Sequence, residues 1–304
     1  PEEASSGFEY LYYDGAGPSG LSLSSHRLGQ TGGALYATLQ RIFAAPHDTE
    51  GRSGWILYND EIPNTKHNNE EKGHCKGVLA FDEKEDSGIL LLHSTPRFPV
   101  IGQPDFPVDE KIYAQTFICL TLENHAAAEL IAGQLLGQQV PQVYASHIPE
   151  SLSQESNLYK LSQGDSVPVP DGPSPISFST RGGKKVICLA KNRHWGEDFW
   201  IDLVGPHLKA DLNIETWRRG RIPSEKDDDG VDDVKDISGI DLASLGGNHA
   251  WPYTKDHAKW AVSTDPDWVC VADINRQVSQ EKRGGGVICI NEPDLWRALT
   301  SIEA

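Results

Sequence analysis

Two stretches of this chain share one arrangement that strongly limits how it can fold. Each stretch begins with a His-x-Lys triplet, continues through an apolar segment and a turn, and returns through a second apolar segment. The first runs from His74-x-Lys76 to His93, and the second runs from His257-x-Lys259 to Asp273. Short apolar runs that flank a polar turn are typical of paired antiparallel strands. The sequence therefore predicts two similar halves, each with one strand-turn-strand unit behind a His-x-Lys triplet.

The triplets place an imidazole and an ammonium group on one side of the chain. Side chains two positions apart in a strand point to the same face, so His74 and Lys76 can reach one phosphate. A third triplet, His207-Leu208-Lys209, closes a predicted helix after Pro206 and leads into a polar turn, so we set it aside. Two imidazoles and two ammonium groups are enough for hydrolysis of a phosphodiester without metal.

Composition narrows the class of protein. With 304 residues, one large or two medium domains are expected, and no run of 18 apolar residues exists that could span a membrane. The net charge of −17 argues against a general nucleic-acid binder, since phosphate binding draws on Lys and Arg. It does not exclude a nuclease with a local cleft. The acidic run from Glu225 to Asp236 predicts an exposed loop.

Several ordered segments of the chain resemble the deoxyribonuclease II family. They are GHCKGVLAFD, LLHSTPRFP, DHAKWAVS and WVCVADINRQ, supported by FEYLYYDGAG, WILYNDEIP and KVICLAK. Through its two His-x-Lys motifs, the chain is also similar to the wider group of phospholipase D-type phosphodiesterases. The resemblance extends from about residue 8 to 300.

The resemblance implies an α/β fold of the phospholipase D-like type. Two α/β/α sandwich halves would be related by a pseudo-twofold axis, with the active site at the seam between them. The region 150–175 is rich in Ser, Gln, Pro and Gly, which predicts the connection between halves. We therefore expect an N-terminal half at 1–165 and a C-terminal half at 166–304.

The family mechanism, transferred to matching positions, implies a metal-independent endonuclease without a cofactor. One histidine attacks phosphorus and forms a phosphohistidine, and the other protonates the leaving 5′ oxygen, so that a 3′-phosphate remains. We assign His74 as nucleophile and His257 as acid, with the reverse left open. Lys76 and Lys259 would bind the phosphoryl oxygens. The need for one neutral and one protonated imidazole predicts an acid working range.

Further residues are candidates for supporting roles. His93 and Asp273 end the return strands and would orient the imidazoles or the phosphate, and Asn275 and Ser94 are additional donors. A structural role is the alternative for His93 and Ser94. Candidates for a DNA groove, which could equally be a solvated loop, are Arg97, Arg276, Lys282 and Arg283.

The carboxylate that orients a histidine in phospholipase D motifs has no clear counterpart here. Asp82 and Asp265 each come one place later than that pattern requires. The position of the orienting carboxylate therefore stays open.

Five cysteines are an odd number, so at least one is unpaired within the chain. The family resemblance implies a disulfide between Cys270 and Cys289, with two buried free thiols as the alternative. A disulfide would indicate an oxidising compartment, and we expect an extracytoplasmic protein that is secreted, periplasmic or lysosome-like. The first residues, PEEASSG, lack the basic and apolar blocks of a secretory signal.

The expected partner is a DNA substrate, with no membrane partner and with a homodimer left open. Three other functions are compatible with the residues. The first is a phospholipase D-like phosphodiesterase that acts on another substrate. The second is a zinc hydrolase that uses His74, Cys75 and His93, although no H-E-x-x-H or C-x-x-C motif occurs. The third is a non-catalytic nucleic-acid-binding scaffold.

Overall fold

The structure is a computed structural model that describes residues 6–15, 20–44, 51–66, 68–103, 105–218, 222, 233–265 and 267–304. Most of the acidic run predicted as an exposed loop, up to position 232, lies outside the described residues. Its last residues, Val234–Asp236, form a strand. Among the described residues, no helix is long and apolar enough to cross a bilayer.

An antiparallel five-stranded sheet comes from the first half of the chain. It follows a short ribbon of β1 (Leu11–Tyr12) and β2 (Ser22–Leu23). The strands of the sheet are β3 (Ser53–Asn59), β4 (Lys76–Asp82), β5 (Ser87–His93), β6 (Phe117–Leu122) and β7 (Val143–His147). Their order is β6-β5-β4-β3-β7, so the strand that begins at Lys76 is central.

A seven-stranded sheet comes from the second half. Its strands are β8 (Ser174–Ser179), β9 (Lys185–Lys191), β10 (Leu212–Glu215), β11 (Val234–Asp236), β14 (Trp260–Ser263), β15 (Trp268–Ala272) and β16 (Gly285–Asn291). The order is β11-β10-β14-β15-β16-β9-β8, and only the β10–β11 pair is parallel among these neighbours. A ribbon of β12 (Gly239–Asp241) and β13 (Ala250–Pro252) lies outside this sheet.

The helical segments cover the sheets and connect their strands. The α-helices are α1 (Ala34–Ala44), α2 (His125–Gln134), α3 (Asn157–Ser162), α4 (Gly205–Leu208), α5 (Val278–Glu281) and α6 (Pro293–Thr300). Two π-helical segments are Leu135–Gln139 and Trp200–Val204, and the 3-10 turns include Val108–Ile112 and Tyr253–Lys255. The side chain of Asn124 accepts from the Ala127 N–H at 3.0 Å and caps α2.

Three groups of buried side chains define the layers. Leu39 of α1 packs with Leu57 and Val78 on the outer face of the five-stranded sheet. The opposite face of that sheet, α2, α3 and one face of the seven-stranded sheet share a single central core, in which Leu79 and Ile288 both lie. The outer face of the seven-stranded sheet packs against the segment around Trp200 and α4. One continuous core therefore joins the two sheets.

Both predicted strand-turn-strand units are confirmed. Strands β4 and β5 form a hairpin in which Gly77 is the register partner of Leu92. Strands β14 and β15 form the second hairpin, in which Trp260 is the register partner of Val271. Each hairpin is central in its own sheet, since further strands flank it on both sides.

The fold is mixed α/β, as expected. Each sheet uses strands from one half only, but the pseudo-twofold phospholipase D-like arrangement and the boundary between 165 and 166 stay predictions. The disulfide Cys270–Cys289 is present and joins register partners on β15 and β16. A disulfide between neighbouring buried strands fits the expected extracytoplasmic location.

Candidate active site

His74 lies where the two halves of the chain meet. Its backbone N–H donates to the Gly284 carbonyl at 2.8 Å, and the Gly73 N–H donates to the Val140 carbonyl at 3.0 Å. A Cβ on Gly73 would lie 2.1 Å from the carbonyl oxygen of Gln139. Only glycine permits so close an approach of two backbones. The position of His74 is therefore set by backbone contacts with Gly284 of the second half and with the segment around Gln139 and Val140 of the first half.

The imidazole of His74 is held in one tautomer. Its Nδ1 lies 2.8 Å from the backbone carbonyl oxygen of Asp273. A carbonyl oxygen can only accept, so Nδ1 carries the hydrogen and Nε2 of the neutral ring keeps its lone pair. Burial, followed by the charge of Lys76, lowers the pKa of His74 well below its ordinary value. The geometry and the pKa both favour a neutral imidazole with a free Nε2.

Lys76 belongs to a buried ion pair. Its Nζ lies 2.5 Å from Oδ1 of Asp60, and Nη2 of Arg283 lies 2.9 Å from Oδ2 of the same carboxylate. Burial opposes ionisation of Asp60, but the charge and the hydrogen bond of Lys76, together with the charge of Arg283, outweigh it and lower the pKa of Asp60 below its usual range. Asp60 thus stays ionised and connects Lys76 of the first half to Arg283 of the second half.

His257 has a different environment from His74. Its Nδ1 lies 3.5 Å from Oε2 of Glu110 and 3.3 Å from Nε2 of Gln115. Its ring is nearly parallel to the rings of Tyr113 and Trp217, with centroids 4.2 Å and 4.5 Å away. Burial lowers the pKa of His257, whereas Glu110 raises it. Among the described residues, its Nε2 is buried without a hydrogen-bond partner.

Lys259 and Asp273 are buried close to the two histidines. Nζ of Lys259 donates to the His257 carbonyl at 2.7 Å. Burial and the charge of Lys76 lower the pKa of Lys259 to about 7. Burial raises the pKa of Asp273 to about 7, and its Oδ2 accepts from the Gly286 N–H at 3.2 Å.

The four residues of the two triplets act on one another electrostatically. The charges of Lys76 and Lys259 both lower the pKa of His74, and the same two charges lower the pKa of His257. Lys76 also lowers the pKa of Lys259. Such effects fall off with distance, so these pKa shifts indicate that the two triplets lie near each other.

Two of the predicted supporting residues, Ser94 and His93, have different surroundings. Oγ of Ser94 donates to Oε1 of Gln115 at 2.6 Å, and Gln115 in turn contacts His257. His93 is buried with its ring stacked on Phe117, and burial lowers its pKa to about 3. His93 is therefore a neutral ring in an aromatic cluster, which agrees with the structural alternative.

Asn275 follows β15 and is buried near the base of the second hairpin. Its backbone N–H donates to Oε1 of Gln280 at 2.9 Å and therefore does not contact the His-x-Lys triplets. Its side-chain Oδ1 is buried and has no hydrogen-bond partner among the described residues. A contact between Asn275 and a phosphoryl oxygen remains a prediction.

The four predicted groove residues separate into different environments. Arg97 binds Glu61, Asp109 and Glu110 and is held beside the carboxylate that faces His257. Arg276 is fully buried, and its Nη1 lies 2.7 Å from Asp236. The groove prediction for Arg276 is therefore wrong for this conformation, because a buried guanidinium cannot reach a DNA phosphate.

The remaining two groove residues differ in exposure. Arg283 is partly buried and bound to Asp60 and to the Lys72 carbonyl. Lys282 is exposed at the end of α5, and a contact between Lys282 and DNA remains a prediction.

The orienting carboxylates come from outside the hairpins. Asp82 accepts from Ser53 and from the Lys84 N–H, so it shapes the β4–β5 turn, and Asp265 is exposed. Asp60 and Glu110 instead face the triplets. No spacing rule in the sequence identifies them, because Asp60 lies in the bend after β3 and Glu110 lies in the 3-10 turn Val108–Ile112, both outside the His-x-Lys segments.

The zinc alternative lacks a set of ligands. Cys75 is fully buried in the central core. Across the part of the chain that the structure describes, no group of at least three His, Cys, Asp or Glu side chains is arranged to hold a metal ion.

Comparison with known proteins identifies the family. The family model described as Deoxyribonuclease II matches residues 1–303. The chain belongs to the deoxyribonuclease II family. Membership in this family makes it a DNA-hydrolysing nuclease, so the alternative of a non-catalytic scaffold is set aside.

Individual relatives agree with this family. A Burkholderia pseudomallei protein assigned as a deoxyribonuclease-2 is 46% identical over 303 residues, which cover 99% of this chain and 84% of the relative. Deoxyribonuclease-2 of Caenorhabditis elegans is 36% identical over 81% of this chain and 66% of its own length. Deoxyribonuclease-2-alpha of Rattus norvegicus is 29% identical over 89% of this chain and 77% of its own length.

Proposed function

We propose that this chain cleaves DNA without a metal through a phosphohistidine on His74. In the first step, Nε2 of His74 attacks phosphorus, the P–O5′ bond breaks, and the Nε2 proton of His257 moves to the leaving oxygen. In the second step, water attacks phosphorus, the N–P bond breaks, and a proton of that water returns to His257. The products are a 3′-phosphate and a 5′-hydroxyl.

The unequal environments of the two histidines support this division of roles. Nδ1 of His74 faces a backbone carbonyl, which favours the neutral tautomer with its lone pair on Nε2. Nδ1 of His257 lies 3.5 Å from Oε2 of Glu110, and burial, the largest effect, lowers the pKa of His257, whereas this carboxylate raises it. This difference is the observation that carries the proposal.

The two lysines would stabilise the negative charge on the phosphoryl oxygens. Lys76 is ion-paired with Asp60, whose pKa lies below its usual range, and Lys259 has a pKa of about 7, so Lys259 is cationic in acid. Fixed cations around a phosphoryl group lower the barrier to its transfer. Their buried position limits screening by salt.

The pKa shifts support an acid working range. His257 must be protonated, and its pKa lies below the ordinary value, so activity should fall as the pH rises through that pKa. His74 must be neutral, and its pKa lies well below the ordinary value, so activity should fall again only in stronger acid. Activity is therefore expected between these two values, as in an acidic, lysosome-like setting.

The test uses thymidine 3′-(p-nitrophenyl phosphate), whose leaving group needs little help from an acid. We expect His257→Ala to release about one p-nitrophenolate per protein and then to turn over about 10²–10⁴-fold more slowly than the parent. The phosphate should remain on His74 and be recovered as phosphohistidine. We expect His74→Ala to give no burst.

His207→Ala is the matched control, because His207 belongs to the third triplet and is exposed on α4. It should behave as the parent does. A burst from His74→Ala but not from His257→Ala would reverse the two roles. Loss of plasmid cleavage by the parent in EDTA would contradict the metal-free mechanism.

A further inference from the structure

We propose that an aromatic rim beside His257 binds the DNA nucleotide on the leaving-group side of the scissile bond. The aromatic rim consists of Tyr113, Trp217 and Lys255. This proposal rests on the proposed role of His257 as the acid that protonates the leaving 5′ oxygen.

Two part-exposed aromatic rings lie directly against the ring of His257. The planes of Tyr113 and Trp217 are within 10° and 18° of the imidazole plane, and the two aromatic centroids are 5.6 Å apart. Tyr113 follows the 3-10 turn Val108–Ile112, and Trp217 follows β10. Both residues are partly exposed, and we take their accessible surface to be available to a base next to the reacting centre.

A cation completes this surface. The exposed ammonium of Lys255 lies 5.6 Å from the ring centroid of Tyr113. The Lys255 carbonyl accepts from the Ala114 N–H at 2.9 Å, and the Ala114 carbonyl accepts from the His257 N–H at 2.9 Å. These backbone contacts fix the rim relative to the imidazole.

Stacking of bases on the aromatic rim would supply affinity for DNA that the charge of this protein does not. The chain carries a net charge of −17, so long-range attraction of phosphates is weak overall. Two predicted groove cations, Arg97 and Arg276, are bound to internal carboxylates. Stacking of bases on aromatic rings contributes affinity without sequence preference, and one lysine can contact the adjoining phosphate.

The proposed chemistry also fixes which nucleotide the rim contacts. The proton of His257 goes to O5′ of the strand that leaves. The base attached to that nucleotide therefore lies on the same side as His257, against Tyr113 and Trp217. The next phosphate of the leaving strand would then come near Lys255. The ligand is a deoxynucleotide unit with its base unstacked from its neighbours.

The test compares a short oligodeoxynucleotide with thymidine 3′-(p-nitrophenyl phosphate), which has no leaving-side base and no further phosphate. We expect Trp217→Leu to reduce kcat/KM on the oligonucleotide about 5- to 100-fold more than on the small substrate. We expect Lys255→Ala to make the dependence of log(kcat/KM) on log[salt] shallower by about 1 for the oligonucleotide.

Lys185→Ala is the matched control, since Lys185 is exposed at the start of β9, whereas the site lies toward its other end at Lys191. Its salt dependence should equal that of the parent. Equal losses on both substrates for Trp217→Leu would overturn the proposal, because the ring would then act only through His257. An unchanged salt dependence in Lys255→Ala would overturn the phosphate contact.

The outcome is separable from that of the histidine test. Full activity in His257→Ala would contradict the proposed mechanism and the leaving-side assignment, whatever the rim variants do. A normal burst in His257→Ala, together with rim variants that match the parent on both substrates, would overturn the rim alone.

Discussion

At the level of single residues, the side chains that orient His257 form a connected network. Oε1 of Glu110 accepts from Nη2 of Arg97 at 2.6 Å, and Nε2 of Gln115 lies 3.3 Å from Oε2 of the same carboxylate. Ser94 donates to Gln115 and thereby fixes the orientation of its amide. Ser94 and Arg97 thus contact the groups around His257, although the sequence suggested that they bind phosphate or DNA.

Glu110→Gln should shift the pH dependence of cleavage. The carboxylate raises the pKa of His257 against the effect of burial, so its removal should lower that pKa. We expect the alkaline limb of the kcat profile to move to lower pH, with the acidic limb unchanged. The measurement is kcat on an oligodeoxynucleotide at a series of pH values.

Asp109→Asn is the control for this change. Asp109 also binds Arg97, but it is largely exposed and is not in contact with His257. Its pH profile should match that of the parent. Identical alkaline limbs for Glu110→Gln and the parent would show that Glu110 does not influence the proton on His257.

At the level of elements, the approach of the two halves depends on the glycine that immediately precedes β16. A Cβ on Gly284 would lie 2.4 Å from the Gln139 carbonyl oxygen and 2.9 Å from that of Gln138. The Gly284 carbonyl also accepts the backbone N–H of His74. A change at this position would therefore be transmitted to the imidazole through a single hydrogen bond.

Gly284→Ala should impair catalysis strongly, although the substitution adds only one methyl group. The backbone atoms that it would overlap cannot rotate away, so β16 must shift relative to the segment around Gln139. A displacement of His74 by about 1 Å is expected to reduce kcat about 100-fold, and overpacking should lower the free energy of unfolding by about 1–3 kcal/mol. Kinetics and denaturant unfolding measure the two effects.

Gly20→Ala provides the comparison. Nothing lies within 4 Å of a Cβ built on Gly20. We therefore expect kcat to equal that of the parent and the free energy of unfolding to change by no more than about 0.5 kcal/mol. If Gly284→Ala keeps the kcat of the parent, the backbone contact does not set the position of His74.

For the molecule as a whole, buried acids make stability depend on pH. Glu215 on β10 is fully buried, and both of its carboxylate oxygens lack hydrogen-bond partners among the described residues. Burial, followed by the charge of Asp256, raises the pKa of Glu215 from 4.5 to about 9. Glu215 is therefore protonated in the folded protein across the neutral range, whereas it ionises in the unfolded chain.

Glu215→Gln should stabilise the protein increasingly as the pH rises. A carboxyl group with a raised folded pKa costs nothing below its unfolded pKa, and its penalty grows until the folded pKa is reached. We expect the variant to gain at most about 1.4 kcal/mol per pH unit over the parent between pH 5 and 8. Denaturant unfolding of both proteins across this range isolates the effect of Glu215 from that of other titrating groups.

Glu155→Gln is the control, because the side chain of Glu155 is 90% exposed. Its stability difference from the parent should not change with pH. A constant difference between Glu215→Gln and the parent would show that Glu215 is not buried in its protonated form.

The sequence alone determined the local elements of the candidate site. Both His-x-Lys triplets precede short apolar runs with polar turns, and the resulting hairpins follow from side-chain periodicity and burial. Ordered motifs across the chain were enough to identify the family. These hairpins and motifs are formed by residues that are close together in the sequence, so they can be predicted without knowledge of tertiary contacts.

Only the tertiary structure decided which groups surround the two triplets. Asp60 meets Lys76 and Arg283, and Glu110 meets His257, across separations of up to 223 positions. The burial of Arg276 could not be predicted from the sequence either, because Arg276 lies in a bend after β15 and its partner Asp236 lies on β11. Pairing between distant segments depends on how the sheets pack around their shared core, and no local pattern of residues encodes it.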